Sequence, residues 1–282
     1  MTPHISLVLG HLIYLRMQIK EYFRKSLSPY LFYKLVDVKN TFFPTPAYKA
    51  LGIQNKKAVT FYGQMIKHND LVFDIGANFG HRVGTFLKLG ARVIAVEPQE
   101  KCIRFMKSMY GNRVSLLQKG AGAAIGEMDF YSSDNAALST FSKSWIESVQ
   151  SSNRFESFSW TAAGKVPITT LDELVNQFGK PAFIKIDVEG LEYEVLLGLS
   201  QSVNYLSFEY AVPENISGLK SCLERMSKLG SYQLNYSIGE TMQFALNSWM
   251  SMESFLSYIE SPTFINSYAG DIYLELVNTS AI

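Results

Sequence analysis

Only two cysteines, Cys102 and Cys222, occur in the 282 residues, and neither belongs to a C-x-x-C pair. That excludes a disulfide framework and a zinc cluster, and it points to buried, inert thiols in a reducing compartment. A surplus of charge of one sign is also missing. Lysine plus arginine number 26 against 25 acids, a formal net charge of +1, so nothing recommends a nucleic-acid partner. No apolar run reaches the roughly 20 residues that a membrane-spanning helix needs. Residues 5 to 15 come nearest, but His11 interrupts them and no lysine or arginine precedes them as in a secretory signal. A cytoplasmic protein is expected. Internal repeats and low-complexity tracts are absent as well, and His4, His11 and His68 have no partners at metal-ligand spacing.

What is present suits a large α/β enzyme: 47 % apolar residues with 18 % charged ones can fill a sizeable core. Residues 1 to 57 read as a helical, aromatic-rich extension with turn signals at Pro29, Pro44 and Pro46. Within it, Ile5, Val8, Leu9, Leu12, Leu15, Ile19 and Tyr22 share one helical face, with Arg16, Lys20, Arg24 and Lys25 beside or opposite it. Such a helix docks on its own domain or on a twin subunit in a homodimer. A peripheral membrane contact through this basic amphipathic helix is the alternative.

The main domain, 58 to 282, alternates short apolar strands with helices. Leu71 to Ile75, Arg92 to Glu97 and Val114 to Gln118 read as buried strands, with helices over 79 to 89 and 99 to 110 between them. Strands at Phe183 to Asp187 and Tyr205 to Tyr210 follow, each leading into a helix, and two terminal strands lie at Tyr232 to Ser237 and Ile272 to Val277. This alternation implies parallel strands with helices on both faces, and a ligand site at the strands' carboxyl edge. Residues 132 to 164 interrupt the order. They form a Ser- and aromatic-rich loop carrying Trp145, Phe155, Phe158 and Trp160, either packed on the domain or free to stack on sugar faces. Glu127 to Tyr131 reads as an edge strand or hairpin.

The strongest site is Asp74-Ile75-Gly76-Ala77-Asn78-Phe79-Gly80, where a strand turns into a helix. Glycine there lets backbone approach a ligand, the acid can hold an ammonium group or water, and Asn78 offers both donor and acceptor. A dinucleotide fingerprint would need glycine at 78 and 81, where Asn78 and His81 stand, so a dehydrogenase is set aside. Glu97 ends the next strand. A carboxylate at that point accepts hydrogen bonds from both ribose hydroxyls of an adenosine, although a lone strand-end acid is also common on surfaces.

On these pieces the sequence resembles the FkbM family of methyltransferases: VFDIGANFG at 72 to 80, VIAVEP at 93 to 98, VPITTLDEL at 166 to 174 and FIKIDVEGLEYEVLLGL at 183 to 199, with LSFEY at 206 to 210 in support. The resemblance covers roughly 58 to 212. It implies a Rossmann-like class I methyltransferase fold, with a seven-stranded, mostly parallel sheet, that uses S-adenosylmethionine. Carried over, it places Asp74, Gly76, Ala77, Asn78 and Gly80 on the methionine and ribose side. Glu97 falls on the ribose hydroxyls, Pro98 and Gln99 beside the adenine, and Gly120 and Ala121 after the third strand against the adenine too. Asp187 should touch cofactor or substrate. Family members commonly methylate hydroxyls of sugars, lipids or natural products, so a small-molecule or glycan acceptor is expected.

The transfer itself is a one-step displacement, helped by alignment and by a base that takes the hydroxyl proton. Catalytic candidates are Lys185, Asp187, Glu189 and Glu192 around the fourth strand, and His81 after the glycine turn. Lys185 and Asp187 share one side of their strand by alternation, with a structural ion pair as the plainer role for Lys185. Asp187 or Glu189 could instead cap the helix near Gly190, and His81 could be a packing residue. No metal is assigned; a divalent ion held by Asp187, Glu189 and another acid is the alternative. The segment Asp187-Val188-Glu189-Gly190 lacks the Asn/Asp-Pro-Pro-Tyr turn of nucleic-acid and amide methyltransferases. A scaffold protein retaining the fold without catalysis is the rival of a different class.

Overall fold

The computed structural model describes residues 46–133, 139–143, 146, 147 and 159–277. The amphipathic face at 5 to 22 and the loop aromatics Trp145, Phe155 and Phe158 lie outside the described residues.

The chain begins with α1 (Pro46–Tyr62), then β1 (Leu71–Ile75), α2 (His81–Lys88), β2 (Arg92–Val96), α3 (Glu100–Tyr110) and β3 (Val114–Leu117). β4 (Gly120–Ala121), β5 (Gly126–Ser133), β6 (Trp160–Thr169) and α4 (Leu171–Phe178) follow. β7 (Phe183–Ile186), α5 (Glu192–Leu197), β8 (Tyr205–Ala211), α6 (Ile216–Ser227) and β9 (Tyr232–Ile238) continue the order. The last elements are β10 (Met250–Ser251), α7 (Met252–Tyr258), α8 (Pro262–Ile265) and β11 (Ala269–Leu276).

The main sheet runs β10-β9-β11-β8-β7-β1-β2-β3. These are the seven strands expected plus the two-residue β10 on the edge. β1 pairs in parallel with β2 and β7, while β11 runs antiparallel between β8 and β9. Every residue of β1 and β7 is buried, as strands covered on both faces must be. Helix ends follow local chemistry. Thr170 accepts a hydrogen bond from the Glu173 amide at the start of α4, and Gly179 ends it with φ 98°; such a cap is worth about 1 kcal/mol.

Alternation sends Leu71, Phe73 and Ile75 into a core shared with α4, α5 and α6. Val72 and Phe183 face the other way, into a core with Phe61 and Tyr62 of α1 and Val83 and Phe86 of α2. Tyr62, Phe86 and Phe183 meet edge-on there, with ring centroids 5.1 to 5.9 Å apart. On that same face the register aligns Asp74 with Lys185 and Lys185 with Ser207, and one step along it aligns Glu209 with Asp271. The carboxyl end of the sheet under α1 is therefore polar.

The interruption differs from a plain loop. β5 is an edge strand, as expected, and pairs antiparallel with β6, but in a separate three-stranded sheet, β4-β6-β5. Trp160, expected in the loop, opens β6 opposite Ser133. The partner of β5, β6, thus begins in the segment whose polar composition hid a strand.

Candidate active site

The turn after β1 is held by its neighbours. Gly76 and Ala77 donate backbone hydrogen bonds to the Val96 carbonyl at 2.9 and 3.2 Å. Gly76 has φ +82°, and a Cβ there would lie 1.8 Å from the Asp187 carbonyl oxygen. Only glycine lets the β1 turn meet the end of β7 this closely. Asn78 is left-handed at φ 49°, and its amide donates to Glu97 Oε2 at 2.8 Å. The Gln99 amide donates to Glu97 Oε1 at 2.8 Å. Both carboxylate oxygens are thus oriented, and each keeps a lone pair for a further donor. Burial raises the Glu97 carboxyl above the usual range, and the Gln99 and Asn78 amides partly oppose it.

These residues open onto a cleft of about 870 Å³, mouth included, at the carboxyl ends of β1, β2 and β7. Glu97, Pro98, Gln99, Gly120, Ala121 and Phe141 line one end, and Asp187, Glu189 and Glu209 the other. Phe130 and Phe141 pack at 4.8 Å between centroids and give the first end an aromatic wall. Sequence reading missed both, and it missed Ser139. Thr140 beside them donates from Oγ1 to the Glu189 carbonyl at 2.7 Å, which braces Glu189 in its left-handed backbone, φ 55°.

At the other end, Lys185 is buried (2 % exposed) and donates to Asp187 Oδ2 at 2.7 Å, with Asp271 Oδ1 at 3.7 Å. Burial would depress its ammonium, but Asp187 and Asp271 more than reverse that and hold it charged. Asp187 sits amid dense protein while its side chain keeps 37 % exposure into the cleft. Burial pushes its carboxyl up, and Lys185 outweighs burial to leave it below the usual range. Glu189 and Glu209 move the opposite way, raised well above it by burial and then by Asp187 and one another's neighbours. Carboxylate oxygens of Asp187, Glu189 and Glu209 lie within 4.8 Å of one another. That grouping can share protons or take a hard divalent cation. Neither Asp187 nor Glu189 caps α5; Glu192 Oε1 accepts from the Val188 and Gly190 amides at 3.2 and 3.3 Å instead.

A second cavity, of about 990 Å³, lies under α1 and shares Gly76, Asn78, Asp187 and Glu240 with the first. Asp74, Ala77, His81, Arg82 and Lys185 line it. His81 is the exposed first residue of α2, so it is not the packing residue considered above. Gly80 borders neither cavity. A Cβ there would meet Met106 and Tyr110 at 2.9 Å, so its bareness lets α3 close on the turn.

The residues fit S-adenosylmethionine. Glu97 presents an oriented acid at one end, and Asp74, 2 % exposed, keeps a buried Oδ2 with no hydrogen-bond partner among the described residues, as a site for an ammonium group would. A glycine turn over the first strand and a buried acid ending the second, set at the open edge of a parallel sheet, are the marks of a class I S-adenosylmethionine-dependent methyltransferase. Within that class the chain belongs to the FkbM methyltransferase family, whose domain matches residues 74–243.

No curated protein sequence matches the chain. Solved structures with a similar chain path include a TehB-like SAM-dependent methyltransferase from Corynebacterium glutamicum. It is 9 % identical, with a TM-score of 0.42 over 78 % of this chain and 88 % of that one. A precorrin-6y C5,15-methyltransferase from Geobacter metallireducens is 12 % identical, with a TM-score of 0.41 over 78 % and 86 %. An rRNA methylase from Streptococcus thermophilus is 12 % identical, with a TM-score of 0.39 over 78 % and 94 %. Among the described residues no helix is long and apolar enough to cross a membrane.

Proposed function

We propose that the protein methylates a hydroxyl oxygen of a polyhydroxylated acceptor, a sugar, glycolipid or natural product. The observation that carries this reading is the position of the carboxylate cluster. Glu209 lines both the main cleft and a groove of about 680 Å³ beyond it, where Tyr193, Glu194, Tyr210, Asn215 and Ser217 stand. Hydroxyl, amide and carboxylate groups of this kind hydrogen-bond a sugar-like acceptor, whereas a flipped base needs a stacking platform. The net charge of +1 likewise disfavours nucleic acid.

When bound, S-adenosylmethionine would supply an activated methyl for the acceptor oxygen, leaving a neutral thioether, and a base on this chain would take the hydroxyl proton. Glu97, Pro98 and Gln99, with Gly120, Ala121 and Phe141, would hold the adenosine. Gly76, Ala77 and Asn78 carry the backbone past it. Glu189 takes the proton, because its surroundings make the ionised form a stronger base than an ordinary glutamate. Lys185 fixes Asp187 in the ionised state beside it, and His81 stands at the far cavity as a contact to the cofactor's amino-acid end. A cytoplasmic setting accords with the two buried free thiols, and the segment 5 to 22 would meet a twin subunit or a membrane surface.

The test is a labelled-methyl transfer screen over sugars, glycolipids and polyketides. Label on an acceptor oxygen supports the reading; label only on nitrogen or carbon, or none while the cofactor binds, overturns it.

A further inference from the structure

Two residues of opposite charge, each with a buried polar atom left unpaired, line the cavity under α1. Asp74 Oδ2 is an acceptor without a donor, and Arg82 Nε is a donor without an acceptor among the described residues. Both residues line that cavity, which joins the adenosine cleft along Gly76, Asn78 and Asp187. Leaving either atom unpaired costs free energy, and an acid and a base lining one cavity suit a ligand that carries an ammonium and a carboxylate. That is an amino-acid zwitterion.

Arg82 is also prepared for exchange. Its guanidinium lies over the Tyr62 ring, 5.7 Å from the centroid, which fixes the side chain from below. Its Nη2 donates to Glu240 Oε2, and Glu240 keeps 70 % of its side-chain exposure. Glu240 borders both cavities, and its carbonyl accepts from Gln54 of α1. Arg82 itself is only 16 % exposed, so the guanidinium stays in place while the solvated Glu240 carboxylate can give way to a second carboxylate.

We infer that Arg82 anchors the carboxylate of the cofactor's amino-acid end, and that Glu240 occupies that anchor until the cofactor displaces it. Asp74 takes the ammonium of the same group. The inference rests on the S-adenosylmethionine assignment and adds to it the residue that distinguishes an amino-acid-bearing nucleoside from a bare one.

Calorimetry on the full chain tests it with two probes, S-adenosylhomocysteine and 5′-methylthioadenosine, which shares the adenosine and thioether but has no amino-acid end. Arg82→Gln should weaken S-adenosylhomocysteine on the order of 10- to 100-fold, the scale of a charge-assisted hydrogen bond. Methylthioadenosine should stay within about twofold, which also reports that the variant is folded. Glu240→Gln should leave S-adenosylhomocysteine unchanged or tighten it up to about fivefold. Equal loss of both probes in Arg82→Gln, no loss of either, or a loss in Glu240→Gln matching that in Arg82→Gln would overturn the inference. Should Arg82→Gln not fold, decarboxylated S-adenosylhomocysteine on the unmodified protein gives the same answer. Affinity equal to that of the full ligand refutes the anchor. A wild-type protein that binds none of these probes sinks the cofactor assignment itself, and is seen before any variant is made.

Discussion

Replacing Asp74 with asparagine should make the ligand-free protein more stable while removing a cofactor contact. Asp74 is 2 % exposed, and burial raises its carboxyl from the ordinary 3.8 to about 6 even though Lys185 pulls the other way. Between those values the native chain binds a proton that the unfolded chain has released. Stability from this group is therefore full below about pH 4 and is lost as pH rises through about 6. The gap corresponds to about 3 kcal/mol, and asparagine, which has no charge to bury, should recover most of it. Urea unfolding at pH 4 and pH 8 measures this. Asp74→Asn should gain about 2 to 3 kcal/mol over wild type at pH 8 and nothing at pH 4, while its affinity for S-adenosylhomocysteine falls. A variant no more stable at pH 8 than wild type would show that Asp74 is already paired, and the argument from its orphaned oxygen would fail with it.

Three other variants probe the neighbouring groups. Gly76→Ala combines φ +82° with a Cβ placed 1.8 Å from the Asp187 carbonyl, so a stability loss above about 2 kcal/mol is expected by urea unfolding; an unchanged midpoint would contradict the close approach of β1 and β7. Glu97→Ala removes the acceptor of the Asn78 and Gln99 amides and should lower S-adenosylhomocysteine affinity at least about tenfold, read by calorimetry. Glu189→Gln should cut kcat on the order of 100-fold or more with little change in cofactor affinity. In wild type, activity should climb with pH as Glu189 ionises from its raised value, and that limb should be absent from the variant's profile.

The sequence made the near half of this site legible because its residues are local. Asp74, Gly76 and Asn78 lie in one turn, Glu97 ends the next strand, and Asp187 and Glu189 stand in a single segment, so spacing alone groups them. Glu209, Asp271 and Glu240 escaped for the opposite reason. Each joins the site through pairings that span the chain, such as Glu209 opposite Asp271 and Arg82 with Glu240. A signal did exist. Ser207 and Glu209 in β8, Asn235 and Ser237 in β9, and Asp271 and Tyr273 in β11 are polar at every second position of buried strands. Period-2 polarity in a covered sheet marks a face that lines a site rather than a core. The separate β4-β6-β5 sheet was hidden differently, since β6 draws its first residues from a segment whose composition reads as loop.

Where the polar face and the glycine turn meet, the protein departs from what stability alone would select. Asn78 and Glu189 hold left-handed backbones without being glycine, Asp74 and Arg82 keep atoms unpaired among the described residues, and Glu97, Glu189 and Glu209 carry carboxyls raised by burial. The opposite face, under α5 and α6, is a continuous apolar core of Leu, Ile, Val and Phe. A fold that leaves polar groups unsatisfied beside a cleft has those groups for a ligand to satisfy. The acids outnumber the two cations, Lys185 and Arg82, and Lys185 is already committed to Asp187 and Asp271. A cationic sulfonium reagent is attracted to such a face more strongly than its neutral thioether product. The same electrostatics that favour loading the methyl donor also ease release of what remains after transfer.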